Sequence, residues 1–370
     1  MTGCAGRVKR VWTFRAGEFA VVCAEVKPVR CVYMGTAEIA CPSLARLVDW
    51  PGAEVVGVVT QPDRPAGRHL QLQPSPVKRL ALERGLPVLQ PQRVREPGFL
   101  DALRAWAPEL VVVMAFGQIL PASVLQLPRY GCVNLHASLL PKYRGAAPIQ
   151  WALANGETET GVTLMLMDEG MDTGPILARR SLRIQPGETA GQLHDRLAEL
   201  AAELLVEALP EYLAGRLTPQ PQPAEGVSYA PRLRREHGRI DWTRPAVEIE
   251  RQIRALDPWP GSFTWWWPRP EGAEVPDTRE RSDAGGGQRR PCLVKIWRAS
   301  VEEGAGQPGE VLASGPEGVV VACGTDALRI EELQREGGRR LAVREFLAGH
   351  PILPGDRFGP EPPGASRHAE

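Results

Sequence analysis

ELVVVM at residues 109–114 is the stretch that decides the fold. A strand with one wet face alternates apolar and polar residues. This run does not, so both of its faces are to be buried, as in a parallel sheet covered by helices. Working outward, EVVGVVT at 54–60 reads the same way, Arg30 to Met34 is a shorter apolar strand, and Gly131 to Asn134 is a further one. Helical patterns lie between them: after Gly35-Thr36-Ala37-Glu38 as far as Val48, over Val77 to Arg84, and over Gly98 to Ala107. This alternation predicts an α/β fold built on a doubly wound, mostly parallel sheet.

Thr160 to Met167 and Ile176 to Ile184 read as later, longer strands. Thr189 to Leu209 is the clearest helix. Thr189 with Gln192 forms a capping box, Leu193, Leu197, Leu200 and Leu204 make one apolar stripe, and Pro210 and Gly215 are expected to end it. Pro219 to Gly226 is Pro-rich and reads as a linker between domains. Beyond it, short strand-like pieces (Leu293 to Trp297, Gly309 to Leu312, Gly318 to Cys323, Ala327 to Leu333) are separated by Gly/Pro turns, which predicts a small β-barrel-like second domain. The expected division is a first domain over 30–216, a linker over 217–228, a second domain over 229–358 and a disordered tail over 359–370. Pro268 to Pro291 is expected to be a mobile loop. Residues 1–29 are expected to lie outside the folded chain, as a disordered extension or an overcalled start.

Basic and acidic residues number 44 each, so net charge gives no pull towards nucleic acid or membrane. No apolar run reaches the roughly 18 residues of a membrane helix. The seven cysteines are odd in number and contain no CxxC, which fits a reduced, cytoplasmic protein and gives no sign of zinc. Nothing demands a partner subunit, so a monomer is expected.

The candidate chemistry lies in NLHASLLP at 134–141, directly after a strand. Asn134 and His136 are two apart, so on an extended chain they face the same side. A carboxamide able to hydrogen-bond an oxyanion then sits beside an imidazole able to move protons. That pair suits attack of an amine on a carbonyl carbon. Asp172, in MDTG at 171–174, is placed to orient the imidazole; its bland alternative is to cap its own turn. Ser138 is poorly placed for a nucleophilic triad, and its hydroxyl is expected to bind a ligand or cap the turn. GAAP at 145–148 permits close backbone approach before a helix starting at Pro148. Gly35-Thr36 is not a GxGxxG fingerprint, so no dinucleotide is indicated. The loop QPDRPAGR at 61–68 is too rich in Pro and Gly for helix or strand, and Arg64 and Arg68 on it could hold phosphates.

Together these residues resemble the methionyl-tRNA formyltransferase family, from about Arg30 to Gly359. VNLHASLLPKYRGAAPIQWAL followed by ETGVTLMLMDEGMDTG is similar to the core shared by enzymes that use 10-formyltetrahydrofolate, including those acting on glycinamide ribonucleotide and UDP-sugars and those hydrolysing the donor. QPDRPAGR with PSPVK at 74–78, YAPRL at 229–233 with IDW at 240–242, and RALDPWPGS at 254–262 with VKIWRAS at 294–300 favour the tRNA enzyme. The resemblance implies catalytic roles for Asn134, His136 and Asp172, and folate contacts from Ser138, Leu139, Leu140 and Pro141. It also implies tRNA contacts from Arg64 and Arg68, a C-terminal OB-like barrel, and transfer of a formyl group to the methionyl α-amine of initiator tRNA in translation initiation, without a metal.

Three features depart from the family pattern. His69-Leu70-Gln71-Leu72 follows Arg68 where the family pattern has lysines, and the second domain balances its basic and acidic residues, so attraction of tRNA must come from clustering. The 268–291 insertion is long for the family, and Arg289-Arg290 within it is expected to be solvated. An amino-sugar formyltransferase, a hydrolase of the folate donor and a catalytically silent folate- or tRNA-binding protein remain open alternatives at this point.

Overall fold

The structure, a computed structural model, describes residues 27–66, 71–268 and 291–360. Arg68, Arg289-Arg290, and most of the expected N-terminal extension, of the 268–291 loop and of the tail lie outside the described residues.

Seven strands form the first sheet: β1 (Val29–Gly35), β2 (Ala53–Val59), β3 (Val88–Leu89), β4 (Leu110–Met114), β5 (Cys132–His136), β6 (Glu159–Leu166) and β7 (Ile176–Arg183). Their order is β7-β6-β5-β4-β1-β2-β3. β1 to β5 are parallel, while β6 and β7 join as antiparallel strands. The order reverses between β1 and β4, which opens a crevice at the carboxyl ends of the central strands. All of β4 is buried, because Leu110, Val112 and Met114 enter the core on one face and Val111 and Val113 the core on the other. In β5, Val133 and Leu135 belong to the first face and Cys132 to the second. Alternation therefore carries Asn134 and His136 to the Cys132 side.

The first face is covered by the helices Cys41–Asp49 and Ala190–Leu213. The long helix has its capping box at Thr189 and Gln192, but it does not stop at Pro210. A proline inside a helix costs about 3 kcal/mol. Here Leu209 is fully buried and Tyr212 lies against the core, its hydroxyl donating to the Tyr130 carbonyl at 2.8 Å, so tertiary anchoring carries the helix to Leu213. The loop expected to hold neither helix nor strand also contains a short strand: Arg64–Ala66 pairs with Gln71–Gln73 as an antiparallel ribbon. Pro65 is tolerated there because a two-stranded ribbon consists of edges, where a missing N–H breaks no ladder.

The second sheet contains β8 (Ser262–Trp267), β9 (Cys292–Glu302), β10 (Val311–Gly315), β11 (Gly318–Ala322), β12 (Ala327–Arg335) and β13 (Arg357–Gly359), in the order β10-β11-β12-β9-β8-β13. Its two ends meet. Phe358 N donates to Gly309 O at 2.7 Å and Val311 N to Asp356 O at 2.9 Å, closing a barrel around Ile296, Val319, Leu328, Ile330 and Phe358. Buried Asp356 fastens the seam by accepting the Trp266 indole N–H at 2.9 Å. Among the described residues no helix is long and apolar enough to cross a membrane.

The barrel sits against the first domain through Ala147, Leu233 and Leu256. Trp151 donates its indole N–H to Pro231 O at 2.8 Å, and Arg254 donates to Glu188 O at 3.0 Å.

Burial pushes the thiols of Cys31, Cys132 and Cys323 up to about 12. In native protein at pH 8, iodoacetamide is expected to leave all three unmodified, whereas denatured protein should label them; peptide mass mapping checks this, and native labelling at Cys132 would contradict its burial.

Candidate active site

His136 ends β5 with 6% of its surface exposed. Its Nε2 lies 2.9 Å from the Tyr143 carbonyl oxygen. A carbonyl can only accept, so Nε2 carries a hydrogen and Nδ1 is the nitrogen left to take up a proton. Nδ1 faces Asp172 Oδ2 at 3.6 Å, within ion-pair range but too long for a hydrogen bond. Asn134 is buried two residues earlier, and its carboxamide has no hydrogen-bond partner among the described residues. The strand thus presents an uncommitted amide and an imidazole with a defined tautomer on one face, at the crevice end of the sheet.

Asp172 comes from the turn after β6 and has a left-handed backbone, φ 54°. Its Oδ2 accepts the Gly145 N–H at 2.8 Å. Capping of the turn itself falls instead to Asp168, whose Oδ1 accepts from Gly170 N at 3.1 Å and Thr173 Oγ1 at 2.7 Å. The Asp172 carboxylate is thereby left to face His136.

The segment after β5 is held by its own polar groups and by side chains of β6 and β7. Ser138 is fully buried and donates to Lys142 O at 2.6 Å, so its hydroxyl caps the turn. Leu140 N donates to Thr163 Oγ1 at 3.1 Å, and Arg179 Nη1 donates to Leu140 O at 3.0 Å. Leu139 and Pro141, with Tyr143, Glu157 and Arg179, line a cavity of about 400 Å³. Tyr143 donates its hydroxyl to Glu157 at 2.8 Å, and burial raises that phenol to about 12, keeping it a donor. Replacing Ser138 with alanine leaves the Lys142 carbonyl without its partner and is expected to cost about 1 kcal/mol, lowering the melting midpoint by a few degrees. Turnover should stay within about threefold of the parent on the same argument; a loss of hundreds-fold would assign the hydroxyl to the reaction.

The stretch expected to be a simple linker is laid along the site. Gln220 and Ile176 exchange backbone hydrogen bonds of 2.8 and 2.7 Å, and Tyr229–Ala230 pairs in parallel with Arg144–Gly145. Gly145 is required for this, since a Cβ there would stand 2.7 Å from the Ala230 carbonyl oxygen. The close approach read from GAAP is therefore made by the chain's own backbone.

Arg64 is exposed on the Arg64–Ala66 ribbon, beside Asp63, which is fixed by Lys78 at 2.6 Å. Among the described residues no group of three or more His, Cys, Asp or Glu is arranged to hold a metal.

Residues 35–209 match the formyl transferase family, and residues 232–351 match the formyl transferase C-terminal domain. The methionyl-tRNA formyltransferase of Myxococcus xanthus is 50% identical over 328 residues, covering 89% of this chain and 97% of the relative. That of Geobacter sulfurreducens is 48% identical over 331 residues, covering 90% and 97%.

The chain belongs to the methionyl-tRNA formyltransferase family.

The family resemblance read from the core signature and the second-domain motifs is borne out. Two solved structures share the fold. HypX from Aquifex aeolicus in complex with tetrahydrofolic acid has a TM-score of 0.53 at 19% identity, covering 87% of this chain and 47% of that one. The N-formyltransferase from Helicobacter canadensis in complex with folinic acid and dTDP-3-aminofucose has a TM-score of 0.54 at 18% identity, covering 82% and 99%. At these identities the likeness extends to architecture alone.

Residue reading missed the Tyr143 carbonyl, which fixes the His136 tautomer. A backbone acceptor has no signature in sequence. It also missed Ser228, whose hydroxyl accepts Tyr143 N at 2.9 Å, and Gln222, whose amide accepts from Arg144 and donates to the Asp172 carbonyl, because both lie in a stretch whose prolines announce only a connection.

Proposed function

We propose that this enzyme transfers the formyl group of 10-formyltetrahydrofolate to the α-amine of methionine carried on initiator tRNA, giving formylmethionyl-tRNA for translation initiation. The observation that carries the reading is the uncommitted Asn134 carboxamide beside an imidazole held between the Tyr143 carbonyl and the Asp172 carboxylate. The folate donor, as co-substrate, supplies an activated formyl carbon.

Asn134 donates to the formyl oxygen as negative charge grows on it. His136 accepts the proton of the attacking amine at Nδ1, and Asp172 stabilises the imidazolium so formed. The same proton returns to the departing folate nitrogen, so the C–N bond that forms and the one that breaks balance without further reagents. The amine must be neutral to attack; as a free α-amino group it titrates near about 8. Holding both substrates in one geometry supplies much of the acceleration.

The turn formed by Ser138, Leu139, Leu140 and Pro141 is proposed to meet the folate donor, Leu139 and Pro141 along the cavity they line and the fully buried Ser138 and Leu140 by holding the turn's shape. Arg64 and Arg68 are proposed to meet phosphates of the tRNA. We place the reaction in the cytoplasm and assign the enzyme a monomeric state.

The direct test is formyl transfer from 10-formyltetrahydrofolate to purified initiator methionyl-tRNA, with uncharged initiator tRNA and elongator methionyl-tRNA as controls. Product on the charged initiator alone supports both reaction and acceptor. If that tRNA is inert while a nucleotide-sugar amine is formylated, the acceptor assignment is wrong; formate released without any acceptor would make the enzyme a hydrolase.

A further inference from the structure

Gln222 leaves the connecting stretch at a point where three parts of the site converge. Its Nε2 donates to both the Asp172 and Gly174 carbonyl oxygens, each at 2.8 Å. Its Oε1 accepts from Arg144 Nη2 at 2.7 Å and Nε at 3.2 Å. A guanidinium can only donate and a carbonyl can only accept, so all four contacts agree on one orientation of the amide. Backbone bonds between Gln220 and Ile176 hold the chain two residues upstream.

The turn that Gln222 grips has little room to relax elsewhere. Asp172 sits in the left-handed region at φ 54°, and a Cβ on Gly174 would lie 1.9 Å from Leu166 O, so that residue already rests on the end of β6. On the far side, Arg144 immediately precedes Gly145, whose N–H holds the Asp172 carboxylate at 2.8 Å. Gln222 thus ties the backbone of Asp172 to the segment that binds the Asp172 side chain. The carboxylate stands 3.6 Å from His136 Nδ1, and moving it away weakens its attraction for a proton taken up on the ring.

We propose that Gln222 is a positioning residue for the transfer reaction: it sets the Asp172 carboxylate against His136 without touching either substrate. This rests on the proposed roles of His136 and Asp172. It adds a third determinant to that pair, and one that comes from outside both core motifs.

The test compares Gln222→Met and Gln222→Glu in the full chain. Methionine keeps the volume and removes all four hydrogen bonds. Glutamate keeps a partner for Arg144 but turns an acceptor towards the two carbonyls. Both are expected to lower kcat by about 10- to 100-fold, the scale of a roughly one-ångström misplacement. KM for folate donor and tRNA should stay within about threefold on the same argument. In the Asp172→Asn background, Gln222→Met should add less than about a twofold further loss, because a residue acting through Asp172 has nothing left to position. Circular dichroism and a melting midpoint for each variant identify any that fail to fold.

Three results would overturn the inference while leaving the site reading in place: a folded Gln222→Met within about twofold of the parent, a Gln222→Glu that retains full kcat, or losses fully additive with Asp172→Asn. Near-parent turnover from Asp172→Asn itself would instead sink the reading on which the inference rests.

Discussion

Replacing His136 with alanine is expected to lower kcat for formyl transfer by about 10³-fold, or about 4 kcal/mol of transition-state stabilisation. The imidazole is the one group of the site placed to take a proton at a defined atom: Nε2 is committed to the Tyr143 carbonyl, and Nδ1 is open towards Asp172. Alanine removes the proton carrier and leaves a small void in a buried position. His136→Gln separates these effects, since an amide can still donate to Tyr143 while carrying no transferable proton. Both variants should lose turnover to the same degree and bind the folate donor as the parent does, measured by calorimetry with a non-reactive folate. A glutamine variant with parent-like single-turnover rate would remove His136 from the reaction.

Asp172→Asn is expected to cost about 10²- to 10³-fold in kcat. The side chains have the same shape, and the amide oxygen can keep the 2.8 Å bond from Gly145 N. What is lost is the negative charge 3.6 Å from Nδ1, which faces the ring as it takes up the proton of the attacking amine. Fold and folate affinity should persist. Because the carboxylate acts through the ring, the double variant His136→Ala/Asp172→Asn is expected to be no slower than His136→Ala by more than about twofold. Simple addition of the two losses in single-turnover experiments would give Asp172 a separate task.

Much of this was legible in the chain. β4 and β5 could be read because burial on both faces demands unbroken apolar residues, and Asn134 and His136 because a strand puts alternate residues on one side. β8 could not be read this way. Its buried residues are Ser262, Thr264 and Trp266, while Phe263 and Trp265 are partly exposed, so the alternation of burial does not follow polarity. The continuation of the long helix through Pro210 was set by Tyr212 reaching Tyr130, a contact 82 residues distant that no local pattern carries. Asp172 was visible as a partner for His136. Its grip by Gly145 and Gln222 was not, because those contacts bring together segments 27 and 50 residues apart.

The parallel pairing of Tyr229–Ala230 with Arg144–Gly145 bears on how this enzyme can be taken apart. Hybrids between relatives are naturally cut where the long helix gives out, near residue 217. Here such a junction would supply Gln220, Gln222, Ser228 and Ala230 from one parent and the surfaces they seat on from the other. A junction beyond Ala230 transfers the whole strap with the half it serves, so the place to divide the chain lies past its prolines and not among them.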